Sequence, residues 1–476
     1  MNTDELWPDL DEAEWQVLKI QTKLHQWATD GPNRRFLDLY NLVYDPAFLV
    51  VAWARVRGNR GARSAGVDGV KPRSIVFGAE TLLTKLRAEL KARTFRPLPV
   101  RERMIPKANG KFRMLGIATA RDRVVQASLK LVLEPIFEVD FKPCSYGFRP
   151  KRRAQDAIAE IHHLASRSYE WVLEGDIEAC FDNISHSALL GRVRKRVGDR
   201  RVLGVVKAFL KAGILAEDGT NRATITGTPQ GGILSPLLSN IALSVLDEHF
   251  TEAWDAMGDF NARYQRRSKG LATYRIVRYA DDFVVVVAGT RADAERLREE
   301  VAAVLQPMGL RLSEEKTKTV HIDEGFDFLG WRIQRQIKRG TNKAYVYTYP
   351  SKKALMAVCD RIRTLTKGSM NLSLSALLDR INPVLRGWTN YFRHGVSKTT
   401  FSYLGTFAWR RVVNWLRHKH HHANWKWLRR HYLPRWRPTE GKVTLFNPEK
   451  VTVSRYRYRG NRIPSPWPHS TEGTAA

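Results

Sequence analysis

The sequence predicts an α+β protein, in which an antiparallel sheet packed on helices is followed by an α-helical segment and a basic C-terminal tail. Apolar, β-branched runs flank Asp281 and Asp282, a pattern typical of a tight β-hairpin. Residues 171–186 read as a second strand, with Asp176 at its end, that continues into a capped helix. Residues 352–431 are helical in pattern and carry much of the tryptophan and arginine.

The charge of the chain favours a polyanionic partner. It has 79 Lys+Arg against 48 Asp+Glu, a formal net charge of +31, and phosphate neutralisation dominates nucleic-acid affinity. An anionic membrane is the competing partner, but no apolar run approaches the length of a spanning helix, so we expect no membrane partner. The 476 residues exceed the usual size of one core, which predicts two or three packed units.

Cysteine usage and the N-terminus predict a cytoplasmic protein. Cys144, Cys180 and Cys359 are far apart and form neither a disulfide framework nor a zinc-ligand spacing. The first 15 residues are acidic and lack the basic, then apolar, regions of a signal peptide. We therefore expect a reducing compartment and no export.

The first third of the chain alternates helices with basic loops. A helix pair over residues 33–57 leads into the Gly-rich loop 58–70, which is either a flexible connector or a backbone that approaches phosphates. A helix is predicted over residues 80–93. Residues 101–118 then predict two strands joined by an Asn-Gly turn. Cations on this hairpin are either simply solvated or close over a triphosphate: Lys107, Lys111 and Arg113.

Two further segments precede the Asp176 strand. Residues 119–138 read as an amphipathic helix with a proline stop, and residues 145–164 as a turn running into a helix. Cations cluster near the start of the second helix, where they oppose the helix dipole: Arg149, Lys151, Arg152 and Arg153. An anion lying between them is the expected reason, which makes Arg149, Lys151 and Arg152 candidate RNA contacts.

The carboxylates of the predicted sheet form a candidate metal site. Adjacent carboxylates such as Asp281 and Asp282 repel each other, and a cation relieves that repulsion. A solvated turn is the competing interpretation, because aspartate is common in turns. With Asp176 on a neighbouring strand, three carboxylates at one sheet edge suit two Mg²⁺ ions. Because side chains alternate along a strand, we expect Asp176 and Asp281 to be the principal ligands and Asp282 secondary.

The last third of the chain is the candidate RNA-binding region. Its tryptophans and arginines offer stacking and phosphate contacts: Arg386, Trp388, Arg393, Arg410 and Arg411. Residues 418–422 read HKHHH and place two histidines four apart on a helix, but RNA contact or solubility is favoured over a metal in so basic a segment.

Several motifs together resemble the reverse transcriptases encoded by bacterial group II introns. They are SYGFRP (145–150), EGDIEACFDNISH (174–186), GTPQGGILSPLLSNI (227–241), YADD (279–282) and FDFLGWRI (326–333). The match covers roughly residues 100–335 in the expected order, which is more specific than any single motif. Residues 381–395, INPVLRGWTNYFRHG, resemble the maturase or thumb segment of that family, and RYRYRG near the end resembles its C-terminal tail.

The resemblance implies a right-hand polymerase with fingers, palm and thumb. The implied units are a helical, RNA-binding N-terminal extension (1–78), fingers and palm (79–345), a helical thumb or maturase domain (346–435) and a basic tail that is a candidate DNA contact (436–476). The implied function is RNA-directed DNA polymerisation with Mg²⁺, combined with maturase activity in splicing. The implied partners are group II intron RNA, an RNA template–primer, target DNA and deoxynucleoside triphosphates; monomer and homodimer both remain open.

The same resemblance implies roles for individual residues. The catalytic triad is Asp176, Asp281 and Asp282, and the metal-binding set adds Ile177. The nucleotide pocket is formed by Lys107, Arg113, Phe181 and Gln230. The ring of Phe181 would collide with a 2′-hydroxyl and so select deoxynucleotides, whereas ordinary core packing is the competing interpretation. Lys316 is either a further phosphate contact or, as we favour, a solvated loop lysine.

Many relatives end in an HNH-type nuclease module with paired Cys and His ligands, which this chain is expected to lack because no cysteine follows Cys359. Without strand cutting, the intron would need another primer, such as a nascent strand at a replication fork. Two alternative functions stay open. One is an RNA-binding splicing factor with a vestigial polymerase site, and the presence of all three aspartates argues against it. The other is a domesticated or antiphage reverse transcriptase, and the thumb motif argues against it.

Overall fold

The N-terminal part of the protein is a set of helices that shares one core with the central sheet and the helices packed on it. The computed structural model describes residues 7–75, 78–106, 110, 112–368, 370–460 and 462–467. The helices are α1 (Leu10–Asp30), α2 (Tyr40–Val43), α3 (Pro46–Gly58) and α4 (Ala79–Lys91). Asp45 starts α3 by accepting hydrogen bonds from the amides of Ala47 and Phe48, as an N-cap residue does.

A small sheet follows these helices. Strands β1 (Val100–Pro106) and β2 (Phe112–Ile117) form the predicted hairpin, whose turn lies outside the described residues except for Gly110. The next elements are α5 (Ala120–Glu138), α6 (Ala154–Ala165), β3 (Trp171–Gly175), α7 (Cys180–Asn183), α8 (His186–Arg196), α9 (Arg200–Leu210), β4 (Ile214–Leu215) and β5 (Asn221–Arg222). Pro135 lies inside α5 and does not stop it, contrary to the sequence prediction.

The central sheet has the strand order β6-β7-β3-β8, and all its neighbours are antiparallel. Its remaining elements are α10 (Ser235–Ala256), α11 (Phe260–Ser268), β6 (Thr273–Tyr279), β7 (Asp282–Ala288), α12 (Arg291–Leu305) and β8 (Lys318–His321). On one face, Leu173 and Val285 join a core with α5, α10 and α12, whereas Val172 and Val284 join a second core on the other face. Burial on both faces explains the unbroken apolar run of β7.

The C-terminal third begins with a three-stranded antiparallel sheet, where the sequence predicted one strand. Its strands are β9 (Phe326–Phe328), β10 (Trp331–Ile337) and β11 (Ala344–Pro350). The predicted domain limit at residues 345/346 falls within β11. The helical domain follows as α13 (Lys352–Lys367), α14 (Leu374–Phe392), α15 (Lys398–Lys419) and α16 (Trp425–Tyr432), and a short hairpin of β12 (Thr439–Glu440) and β13 (Val443–Thr444) packs on α14.

The last described residues, 451–460 and 462–467, dock back on the body of the protein. The Arg459 guanidinium pairs with both carboxylate oxygens of Asp156 at 2.8 Å, and the Tyr456 hydroxyl donates to the same carboxylate at 3.0 Å. Trp467 is only 4% exposed and donates from its indole nitrogen to Gln21 of α1. The extended segment therefore connects the helical domain to α6 and to α1.

Two further observations concern the cysteines and the length of the helices. The three cysteines are unpaired thiols buried in the protein. Within the ranges that the structure describes, no helix combines the length and the apolar character needed to cross a bilayer.

Candidate active site

The Asp281-Asp282 pair lies at the tip of the β6–β7 hairpin, as the sequence predicted. Tyr279 and Asp282 form the last cross-strand pair, so only Ala280 and Asp281 make the turn. Ala280 has φ +57°, a left-handed conformation that is uncommon for a residue with a side chain. A non-glycine residue keeps such a backbone only where its surroundings determine it.

A buried ion pair beneath the hairpin provides those surroundings. Arg278 and Asp247 are fully buried and form a two-pronged pair, with N–O distances of 2.8 and 2.5 Å. The same guanidinium donates to the carbonyl oxygen of Ala280 at 2.8 Å, to the Ser145 hydroxyl at 2.7 Å and to the Asn240 side chain at 3.1 Å. One side chain thus joins the aspartate turn to α10 and to the SYGFRP segment.

This network was not predicted from the sequence, although the positions of its two charged residues give a signal. Arg278 follows the apolar pair Ile276-Val277 in β6, and Asp247 directly follows the largely apolar residues 236–246 of α10. A charge inside an apolar element is stable only when it is paired, so both residues predict a partner without saying which one. Their pairing depends on how α10 crosses the sheet.

The glycine of the SYGFRP motif, Gly147, lies directly against the backbone of the aspartate turn. A Cβ atom at this position would lie 2.3 Å from the amide nitrogen of Ala280 and 2.8 Å from the carbonyl carbon of Tyr279. Asn240 donates to the carbonyl oxygen of Gly147 at 2.8 Å, which fixes the segment against α10. Only glycine permits this approach of two backbones, so the motif supports the hairpin from below.

Asp176 follows β3, the strand next to β7, as predicted. Its carbonyl oxygen accepts a hydrogen bond from the amide of Ser313 at 2.8 Å, and its carboxylate pairs with the Lys316 amino group at 2.7 Å. The register of β3 and β7 pairs Gly175 with Phe283, which brings Asp176 to the same sheet edge as the aspartate turn. Lys316, predicted as a solvated loop lysine, therefore contacts a candidate metal ligand.

The electrostatics of this edge favour a bound cation. The pKa of Asp282 is raised from 3.8 to about 6, mainly by desolvation and also by the carboxylates of Asp281 and Asp176, while Lys316 and Arg113 lower it. The side chain still reaches solvent. Mutual repulsion among three carboxylates is what a divalent ion would relieve. The Lys316 amino group already supplies one positive charge to Asp176.

These residues fit a divalent metal, although they are not preassembled around one point. Among the described residues, three or more His, Cys, Asp or Glu side chains do not converge as a ready metal cluster. The carboxylates nevertheless offer the oxygen ligands that hard divalent cations prefer. Ile177 is 4% exposed in the core, so of its atoms only the backbone carbonyl oxygen is a suitable ligand.

Three of the four predicted nucleotide residues lie within the described part of the chain. Phe181 is half-buried in α7, and its carbonyl oxygen accepts a hydrogen bond from the amide of Thr228 in the Gly-rich turn at 2.6 Å. The carbonyl oxygen of Gln230 accepts one from the amide of Gly116 in β2 at 2.7 Å. Arg113, exposed on β2, acts electrostatically on Asp282. Lys107 lies outside the described residues.

Two of the predicted RNA contacts near α6 have internal partners. Arg149 is 6% exposed and pairs with Glu138 at 2.7 Å, while it also donates to the carbonyl oxygens of Lys142 and Ser145. Arg152 lies 3.8 Å from the same carboxylate. These two cations balance Glu138 instead of holding an external anion between them. Lys151 remains exposed.

The predicted contacts of the helical domain divide in the same way. Trp388 packs inside against Phe392 and Phe401, and Arg411 donates to the Thr366 hydroxyl at 3.0 and 2.9 Å. Arg393 is half-buried. Arg386 and Arg410 are exposed, and they remain the accessible members of the predicted set.

The antiparallel sheet brings a strand-end aspartate beside a YADD turn, and a Gly-rich turn and a two-stranded hairpin flank it. This arrangement defines the palm of a reverse transcriptase. The family model "Reverse transcriptase (RNA-dependent DNA polymerase)" matches residues 105–333, and "Group II intron, maturase-specific domain" matches residues 355–433. The chain belongs to the family of group II intron-encoded reverse transcriptases. It has the right-hand polymerase fold and is an RNA-directed DNA polymerase combined with a maturase domain.

Curated relatives agree with this assignment. The chain is 39% identical to protein YkfC of Escherichia coli (strain K12) over 357 residues, 71% of this chain and 93% of YkfC. It is 32% identical to the group II intron-encoded protein LtrA of Lactococcus lactis subsp. cremoris over 402 residues, 73% of this chain and 65% of LtrA. It is 26% identical to nuclear intron maturase 1, mitochondrial, of Arabidopsis thaliana over 290 residues.

Proposed function

We propose that this protein copies group II intron RNA into DNA at the sheet edge formed by Asp176, Asp281 and Asp282, using Mg²⁺ and deoxynucleoside triphosphates. The observation that carries the proposal is the β3–β7 register, which brings the strand-end aspartate to the aspartate turn. Reverse transcriptases as a class use divalent metal ions, which here would activate a primer 3′-hydroxyl and stabilise the leaving pyrophosphate. The proposal places the reaction in the cytoplasm, in keeping with the unpaired cysteines.

The residues of this chain have separate tasks in the proposal. The three aspartates and the carbonyl oxygen of Ile177 hold the metal ions. Arg113 on β2 binds the triphosphate, a task that Lys107 shares. Phe181 and Gln230 border the sugar and base of the incoming nucleotide, and template, primer and target DNA lie along the basic surface of the protein.

Phe181→Val is expected to admit ribonucleotides into the product. The phenylalanine ring leaves no room for a 2′-hydroxyl, and valine removes most of that ring. Steady-state incorporation of a deoxynucleotide and its ribonucleotide on one RNA template measures the discrimination, which should fall at least about tenfold. Phe260→Val is a matched control, because the Phe260 side chain is 66% exposed at the start of α11. Unchanged discrimination in Phe181→Val would show that the ring only packs.

Asp282→Asn is expected to be more stable than the wild type at pH 7 without divalent ions. The pKa of Asp282 is raised from 3.8 to about 6, so ionisation disfavours the folded state. Between those two values the folded protein binds more protons than the unfolded chain, so the contribution of Asp282 to stability falls as pH rises. Thermal unfolding should show a difference between variant and wild type that vanishes near about pH 4 and grows toward pH 7. A pH-independent difference would contradict this electrostatic account.

Addition of Mg²⁺ provides the second arm of that experiment. Because the ion relieves repulsion among the three carboxylates, it should raise the unfolding temperature of the wild type at pH 7 more than that of Asp282→Asn. An equal rise in both proteins would place the ion elsewhere.

The maturase part of the proposal is that the protein binds its intron RNA and promotes splicing. The net charge of +31 and the exposed Arg386 and Arg410 support it. Splicing of the intron RNA with Asp281→Ala protein tests this part separately from polymerisation. We expect splicing to persist without DNA synthesis, and loss of both activities together would contradict separate functions.

A further inference from the structure

The corner between α15 and α16 exposes several large aromatic side chains to solvent. Trp425 is 41% exposed, and Trp436, in the 3₁₀ turn Pro434–Trp436 after α16, is 49% exposed. Trp427 is 38% exposed, but it stacks on His431 at 4.2 Å and contacts Tyr432, so its ring is engaged within the protein. Clustered exposed aromatics on a soluble protein mark a binding surface.

A cavity of about 830 Å³ opens beside Trp425. Its floor is apolar, because it is lined by the side chains of Val413 and Leu428, which are 5% and 2% exposed. The ring of Trp409 forms one wall and is held by a hydrogen bond from its indole nitrogen to the carbonyl oxygen of Trp436 at 2.8 Å. Asn414 adds an exposed amide to the rim. A planar ring with polar edges fits such a space, since aromatic walls stack and an amide can donate and accept.

The rim of the cavity is strongly cationic. Arg417, His418 and His421 line it, and residues 425–437 include five Lys or Arg and no Asp or Glu. The Arg429 guanidinium lies 4.6 Å from the centre of the Trp436 ring, which keeps a positive charge beside the exposed aromatics. Aromatic rings beside cations are the chemistry by which proteins hold single-stranded nucleic acid, whose bases stack while its phosphates pair.

We propose that this corner binds an unpaired nucleotide, with its base stacked against Trp425 in the cavity and its phosphate on the cations of the rim. A paired base cannot enter, because both of its faces are covered by its neighbours in the helix. The inference deepens the proposed RNA-binding function and rests on it, since it names the kind of nucleic-acid element that the helical domain holds. Intron RNA and single-stranded DNA share the chemistry and are the two possible sources of the nucleotide.

Trp425→Ala in the full-length protein tests the proposal. The probes are a 12-nucleotide unstructured RNA, the DNA of the same sequence and a blunt RNA duplex. The variant should bind the single-stranded RNA about 5- to 150-fold more weakly, the range for loss of one base–aromatic stack, and bind the duplex as tightly as the wild type does. Trp425→Tyr should restore most of the affinity. Because tryptophan carries no charge, the salt dependence of binding should not change.

The matched control is Phe260→Ala at the start of α11, whose ring is 66% exposed outside the helical domain and should not matter for the strand probes. An affinity loss for RNA alone identifies RNA as the source, and an equal loss for DNA shows that the pocket accepts both strands. The proposal is overturned if Trp425→Ala leaves single-strand binding unchanged, or if it weakens the duplex equally. Primer extension by the same variant at saturating template separates these binding outcomes from the polymerase assignment. A failure of the polymerase assignment is reported by Asp281→Ala.

Discussion

Asp281→Ala is expected to lower RNA-templated DNA synthesis at least about a hundredfold, the size of loss that follows removal of one preorganised electrostatic contact at a reacting centre. The alanine removes a metal-binding oxygen from the turn, while the hairpin register and the Arg278 anchor remain in place. Primer extension on an RNA template under single-turnover conditions measures the loss. RNA affinity should stay at the wild-type value, because the contacts in the helical domain are untouched.

Two companion variants sharpen that experiment. Glu314→Ala removes an exposed carboxylate from the Lys316 loop and should leave the rate unchanged. Asp282→Ala compares the two adjacent aspartates. Strand alternation predicts the larger loss at Asp281, although Asp282 is the residue whose pKa responds to Asp176 and Lys316. A loss in the Glu314 variant as large as that at Asp281 would mean that the assay reports general charge rather than the site.

Arg278→Met is expected to destabilise the protein by about 3–5 kcal/mol, because it leaves the Asp247 carboxylate buried without its partner. The substitution also removes the hydrogen bonds that the guanidinium donates to Ala280, Ser145 and Asn240, so the strained turn is no longer held. Denaturant unfolding without divalent ions measures the change. A difference below about 1 kcal/mol, typical of an exposed ion pair, would contradict the structure around Arg278.

The double variant Arg278→Met/Asp247→Leu separates stability from catalysis. Replacing both buried charges by apolar side chains should recover much of the lost stability, since no carboxylate remains unpaired. DNA synthesis should stay low, because the carbonyl oxygen of Ala280 still lacks its donor. If stability and synthesis both returned to the wild-type level, the network would support the fold without positioning the aspartate turn.

The sequence predicted the central sheet and its aspartates because each depends on a local pattern. The apolar runs around Asp281 fix a hairpin, and the alternation of strand and helix after Asp176 fixes a neighbouring strand. Nothing local pairs Arg278 with Asp247, which are 31 residues apart, so that contact depends on tertiary packing. The signal was only that each charge directly follows apolar residues of its element.

Cations were harder to interpret from the sequence than carboxylates. Arg149 was predicted to contact RNA because it precedes a helix N-terminus, yet it balances Glu138 inside the protein. The arginine–tyrosine alternation of the tail gave no hint that Tyr456 and Arg459 would reach Asp156. A charge pattern gives the number of cations but not their partners, because internal carboxylates compete with external phosphates for the same guanidinium groups.

The most direct test of the central claim is RNA-templated DNA synthesis measured beside RNA affinity, with wild type and Asp176→Asn prepared identically in Mg²⁺. The account predicts that the wild type extends a primer with deoxynucleotides, that chelation of the metal stops it, and that Asp176→Asn binds the RNA normally without extending the primer. Extension by Asp176→Asn at the wild-type rate would contradict the claim that this sheet edge is the polymerase site.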